Sequence, residues 1–342
     1  MPDQVLTFNQ RRDITCPADQ YDFLVNEVRE GRMTEAVAGS NFSILLVRGV
    51  TDAMTQGHDE AQPVHDRLTT RRETPGEESH TYFGLGPLTD PYDREPGEPI
   101  MQVEFTSDRA TLVNREKAAA LNFVREDIMR DRTGKLAEQA SGIGMTFPRA
   151  RDKECVAFFN SGTTTTIYDG SNLFADTHAP VTGGTAVAAN DNNGIGGGAL
   201  TESTLEAALT VLAGWQNYNG DLADIMPEKL WCASNQRFEA ARIMRSMFRV
   251  SDLDEGGVHA RQGANIHQGS LEIVVWPRLT ASTWGFTTNV HGFVYQVEFD
   301  LTVEREVANS GDSFWRHLAG AIKAIESRTF GVLDWRSLAK GN

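Results

Sequence analysis

The chain has 342 residues, 40% of them hydrophobic and 23% charged, which makes it globular with room for two or three packed units and excludes a disordered chain. Its 47 acidic and 32 basic residues leave a net charge of −15, which argues against a surface that grips DNA phosphates. No run approaches the roughly 20 apolar residues of a membrane span, no secretory signal pattern opens the sequence, and the scattered Cys16, Cys155 and Cys232 form no CxxC pair and fit a reducing compartment.

Residues 1–61 carry one amphipathic helix, Pro17 to Arg29, with Tyr21, Leu24, Val25 and Val28 at helical spacing. A weaker helical piece runs from Phe42 to Met54. The surrounding sequence is poor in core residues, so this region reads either as a frayed terminus or as an arm that orders against another subunit. In residues 62–113, Pro75, Pro87, Pro91, Pro96 and Pro99 fall close together among several glycines. Strand-like pieces, Thr81 to Phe83 and Ile100 to Phe105, flank them. This pattern predicts an extended two-stranded arm, with a linker between domains as the alternative.

Residues 117–160 predict the longest helical region. Lys117 to Arg132 leads in, and Gly134 to Asn160 carries Leu136, Ala140, Ile143, Phe147, Val156 and Phe159. Gly142, Gly144 and Pro148 should weaken or bend that helix, and Gly162 should stop it. Thr163 to Thr166 begin strand-like sequence. The stretch Tyr168 to His178 follows, reading Asp-Gly-x-x-Leu-Phe-x-x-x-His. His178 and Asp176 are a fragment of a metal site, but two ligands are too few. In the structural reading Asp169-Gly170 makes a tight turn, Leu173 and Phe174 plug the core, and His178 hydrogen-bonds locally.

The Gly/Asn-rich run 183–198 contains neither GxGxxG nor GxxxxGK[ST] and predicts a surface loop. Thr201 caps a helix whose buried stripe is Leu205, Ala208, Leu209 and Leu212. A strand, Ile225 to Ala233, precedes a helix from Gln236 to Phe248 with Phe238, Ala241, Ile243 and Met244 available for burial. Ser270 to Trp276, Gly292 to Asp300 and Gly331 to Trp335 predict strands, and Trp315 to Ile325 a helix. The mixture predicts an α+β body.

Catalytic signatures are missing. The remaining histidines (His58, His65, His80, His259, His267, His291, His317) form no HExxH pairing, and there is no GxSxG. Glu126-Asp127 reads as an ion-paired cluster, and Asp252, Asp254 and Glu255 as a solvated loop. No nucleophile, base and orienting group come together, so no catalytic residue, cofactor or metal site is expected.

The order of these parts carries a resemblance. An N-terminal arm, a Pro/Gly-rich excursion, a long helix, the Asp169–His178 turn, a Gly/Asn-rich loop, the run Met226 to Cys232 and the ending Gly331 to Arg336 follow one another. This layout resembles the major capsid proteins of tailed bacteriophages with the HK97-type fold, in particular Mu-type major head subunits, over roughly residues 40–342. The resemblance implies an N-terminal arm at 1–61 and an E-loop hairpin at 62–113 lying over a neighbouring subunit. It implies a peripheral (P) domain with a long spine helix at 114–184, an axial (A) domain at 185–290, and a return to the P domain at 291–342.

The implied function is a self-assembling icosahedral shell around double-stranded phage DNA, assembled in the host cytoplasm as part of the virion. The implied partners are further copies in hexamers and pentamers, portal and scaffolding proteins, and a decoration protein, with no membrane. Inter-subunit contacts are expected at Arg67, Arg71, Arg72, Tyr82, Phe83 and Tyr92. Asp169, Gly170, Phe174 and His178 are expected to form a structural corner joining the spine to the axial body. The first lysine of the chain is Lys117, so the E-loop lysine crosslink of some relatives is not available. The short stretch ahead of the E-loop leaves little room for a cleaved scaffolding segment, so a separate scaffolding protein is expected. An encapsulin-like compartment of the same fold, and an α+β cytoplasmic enzyme, are the alternatives.

Overall fold

The computed structural model describes residues 49, 51–85, 96, 107–124, 135–180, 184–217, 220–247, 264–307 and 318–342. The expected helix Pro17 to Arg29, the strand Ile100 to Phe105, Tyr92, Glu126-Asp127 and the acidic group at 252–255 lie outside them. In chain order the elements are β1 (Thr70–Glu73), β2 (Ser79–Leu85), β3 (Ser107–Val113), β4 (Arg115–Val124), α1 (Lys135–Asn160), α2 (Glu202–Ala213), β5 (Pro227–Ala233), α3 (Arg237–Arg245), β6 (Glu272–Trp276), β7 (Trp284–Thr288), β8 (Phe293–Val307), β9 (Leu318–Val332) and β10 (Leu338–Lys340). Residues 51–60, ahead of β1, are helical.

Two four-stranded sheets carry the described fold, ordered β1-β8-β9-β4 and β10-β7-β5-β6, with a separate β2–β3 hairpin. In the first sheet β9 is antiparallel to both β8 and β4, and β1 runs parallel to β8. The long helix α1 packs on this sheet. Cys155, Val156 and Phe159 from its second half meet Phe293, Tyr295, Val297 and Phe330. Ala140 and Phe147 from its first half meet Leu301, Ile322 and Ala324. The second sheet shares the first core through Trp231, Val274 and Trp276. Its other apolar residues, with Leu205, Ala208 and Leu212 of α2 and Ala240, Ile243 and Met244 of α3, build a second core around Trp215, Trp284 and Trp335.

Several sequence expectations are corrected. Of the segment from Lys117 to Arg132, read as helical, the described residues 117–124 lie in β4, and of the helix expected at Trp315 to Ile325 the described residues 318–325 lie in β9. Both are rich in alanine, a good helix former, but β9 finds pairing partners on both edges, and sheet pairing overrides propensity. Gly331 and Val332, expected to start a strand, end β9, and Trp335 opens a short 3-10 turn instead. Thr163 to Thr166 give no strand, only one isolated bridge, Thr166 to Asn172. Phe238, expected inward, is 76% exposed, and Ala240 takes the buried position. The 183–198 run is not simply a surface loop: Asn190, Asn192 and Ile195 are buried. Residues 64–73, read with the arm, belong to the body, since His65 and Leu68 are buried and β1 pairs with β8.

Pro148 sits inside α1, which nonetheless runs for 26 residues. Gly144, four residues earlier, faces the helical residues 51–60. A Cβ on Gly144 would collide with the Met54 carbonyl, and one on Gly57 would collide with the Ser141 carbonyl. The two helices therefore touch backbone to backbone, which is the reason glycine stands at both positions.

Candidate functional site

The Tyr168–His178 stretch folds into a buried corner. Gly170 takes a positive φ of 84°, where glycine carries no steric penalty, and Asp169 closes the turn by accepting from the Ser171 N–H at 2.9 Å. The other Asp169 oxygen faces His178 Nδ1 at 2.7 Å, with side-chain exposures of 2% and 0%. Phe174 is buried against Phe159 and Trp231. Its ring fills the space where a Cβ on Gly162 would stand, so the helix-stopping glycine also seats the corner.

Asn192 completes the arrangement from the Gly/Asn-rich run. Its Nδ2 donates to the Leu173 carbonyl at 2.8 Å and the Leu338 carbonyl at 3.2 Å. That orients Oδ1 to accept from the Ala175 N–H at 2.9 Å and to face His178 Nε2 at 3.1 Å. Both ring nitrogens of His178 thus face oxygens that only accept. The imidazole lies on the Trp335 indole, with centroids 4.5 Å apart and planes at 4°. Arg336 lies over the same indole at 4.5 Å and donates to the carbonyls of Gln216 at 2.8 Å and Pro180 at 3.2 Å. Asn190 accepts from the Gln216 N–H at 2.9 Å.

This arrangement ties four segments of the chain together through buried hydrogen bonds and ring stacking. Asp169 and Asn192 each engage His178, and among the described residues no third metal-ligating side chain joins them. Among the described residues, one His-and-carboxylate group has metal-binding dimensions, at Glu202, Glu206 and His267. Asn190, Asn192 and Trp335 were not picked out as partners of His178 by sequence reasoning. The closest signal was the Asn-Asp-Asn-Asn run, whose polarity reads as solvent exposure when its partners are unknown.

Of the other expected contact residues that are described, Arg67 lies in the turn before β1, Arg71 and Arg72 on β1, and Tyr82 and Phe83 on β2 of the hairpin. β2 and β3 are antiparallel, with Ser79 opposite Val113 and Leu85 opposite Ser107. Arg67 pairs with Glu272, and its hydrogen bond, helped by its charge and that of Lys229, holds the Glu272 carboxyl below the ordinary value. Arg71 pairs with Asp300 at 2.6 Å and with Glu73 at 3.1 Å. These two guanidinium groups are engaged within their own chain, whereas Arg72 lies over the Tyr82 ring at 5.2 Å. Phe83 is 70% exposed on β2.

A buried charge network ties α1 to β9. Glu326 accepts from Arg151 and, at 2.6 Å, from Arg328, and Arg328 also reaches Glu154 at 2.6 Å. Burial pushes the Glu326 carboxyl up, but the hydrogen bonds and charges of Arg151 and Arg328 outweigh it and hold it below the ordinary value.

Comparison with known proteins agrees with this architecture. The sequence model of a family described as phage capsid protein matches residues 110–341. The capsid of Cyanophage P-SCSP1u is 15% identical, with a TM-score of 0.53 over 82% of this chain and 87% of that chain. The capsid of a native GTA particle is 14% identical, with a TM-score of 0.50 over 82% of this chain and 90% of that chain. No curated protein matches the chain. The described residues contain no helix long and apolar enough to cross a membrane. The chain belongs to the phage capsid protein family: it is a structural protein of the virion, with the α+β fold of the HK97 type, and as a major capsid protein it forms the shell.

Proposed function

We propose that copies of this chain, as hexamers and pentamers, close an icosahedral shell around double-stranded phage DNA in the host cytoplasm, with no catalytic step of their own. The β2–β3 hairpin is the observation that carries this reading. Phe83 and Val113 leave 70% and 49% of their surface exposed on a two-stranded ribbon that joins neither sheet. Such a ribbon is marginally stable alone in water, and laying it on a neighbouring subunit buries its apolar face. In this reading residues 79–113 are the E-loop, and β1 belongs with the P-domain sheet. The P domain spans 114–184 with α1 as its spine, the A domain spans 185–290, and 291–342 return to the P domain. Residues 1–61 are the N-terminal arm.

Tyr82, Phe83, Tyr92 and Arg72 are then the contacts to a neighbour, while Arg67 and Arg71 brace their own subunit. Portal and scaffolding proteins, and a decoration protein, are the further partners. A net charge of −15 suits a lumen along which packaged DNA slides. The test replaces residues 82–110 by an Asn-Gly turn between Thr81 and Thr111, which are cross-strand partners. Electron microscopy should show shells for the parent chain and a folded, soluble, unassembled variant. Normal shells from the variant would remove the hairpin from the assembly mechanism.

A further inference from the structure

We propose that Glu202, Glu206 and His267 form a binding site for a divalent transition-metal cation. Glu202 and Glu206 stand four residues apart on one face of α2. His267 comes from the turn between α3 and β6. One ligand atom from each residue lies within 4.8 Å of the other two. His267 Nε2 and Glu206 Oε1 are 3.3 Å apart, close to the roughly 3.4 Å that a tetrahedral zinc ion imposes on neighbouring donors.

The histidine is held in place. Asn265 donates to the carbonyls of Ile243 at 2.6 Å and Ser246 at 2.9 Å, at the C-terminal end of α3, and accepts from the His267 N–H at 2.9 Å. Ser270 Oγ donates to the His267 carbonyl at 2.9 Å, and the Gly269 N–H donates to the Met244 carbonyl at 2.9 Å. The turn is thereby clamped to α3, and its imidazole, with the side chain 8% exposed, is delivered against α2. The Glu206 side chain is 42% exposed, which gives an ion a route in and leaves room for water in a remaining coordination position. One imidazole with two carboxylates suits Zn²⁺ or Mn²⁺, whereas Mg²⁺ and Ca²⁺ prefer all-oxygen shells. A bound ion would join α2 to a segment 61 residues further along the chain.

The competing account is an ordinary ion pair between His267 and Glu206, and calorimetry with Zn²⁺ separates the two. Zn²⁺ is titrated into the EDTA-treated full chain and into E206Q and H267Q. The half-exposed position of Glu206 lets E206Q keep the fold. The expected result is one Zn²⁺ bound per chain and a rise in Tm that EDTA reverses and Mg²⁺ does not reproduce. Each variant should weaken Zn²⁺ binding by at least the roughly tenfold that loss of even an outer-shell partner costs. The proposal is overturned if Zn²⁺ does not bind, if both variants bind it as tightly as the parent, or if Mg²⁺ gives the same rise.

Discussion

His178 lies flat on Trp335, ring centroids 4.5 Å apart and planes at 4°, across 157 positions of sequence. The stack joins the corner after α1 to the turn before β10, and Asn192 hydrogen-bonds to the backbone on both sides. The two sheets share a core on one side of this lock, so its loss should be felt as lost stability and not as a lost reaction.

His178→Ala is therefore expected to destabilise the folded chain by about 3 kcal/mol or more, because it leaves the Asp169 carboxylate buried without its partner. Asn192→Ala should cost about 1–3 kcal/mol for each buried backbone group it orphans. Urea unfolding followed by tryptophan fluorescence measures both. Unchanged midpoints would mean that the corner is not a lock.

The buried network of Glu326 should appear in the pH dependence of stability. Its carboxyl is held below the ordinary value of 4.5, so its contribution is full above that value and is lost as pH falls through the folded value. Glu326→Gln is expected to cost about 3 kcal/mol near neutrality, since Arg151 and Arg328 then face a neutral amide. The variant should also lose less stability than the parent between about pH 5 and 3. Parallel melting curves across that range check both statements.

Asp152 acts in the same direction at a second place. Burial pushes its carboxyl up, but hydrogen bonds from the His65 side chain and from the backbone of His65 and Val64 hold it below the ordinary value of 3.8. Asp152→Asn should loosen residues 64–68 from α1 and raise their hydrogen exchange, with little change in the second sheet.

Gly144→Ala tests the helix contact. A Cβ there collides with the Met54 carbonyl, so the helix of residues 51–60 must move off α1. Limited proteolysis should then cut within 51–62 at a rate the parent chain does not show. Unaltered protection would mean that the helices do not touch as described.

Phe83→Ser tests the hairpin surface. At 70% exposure the change should alter the stability of the isolated subunit by less than about 0.5 kcal/mol. Shell yield, counted by electron microscopy, should fall.

The sequence was most legible where local chemistry and tertiary context agreed. The helix up to Asn160, the Thr201 cap and the strand ending at Ala233 could be read directly, because periodicity, capping and burial pointed the same way. The alanine-rich β4 and β9 could not, because what makes them strands is hydrogen bonding to partners up to about 200 residues away. Phe238 shows the same limit: its apolarity says nothing of which helix face meets the core.

The sequence alone determined that this is an acidic α+β chain without catalytic signatures, in which the order of the parts resembles that of a capsid subunit. It also marked Asp169-Gly170 as a turn and His178 as a local hydrogen-bonding residue. Only the tertiary structure decided that Asn192 and Trp335 complete that corner and that Arg67 and Arg71 are paired within the chain. It likewise decided that Glu202 and Glu206 meet His267. Turn and cap signals act over a few residues and are written in the local sequence. Buried polar partners are chosen by packing, which brings together positions that nothing in their own neighbourhoods connects.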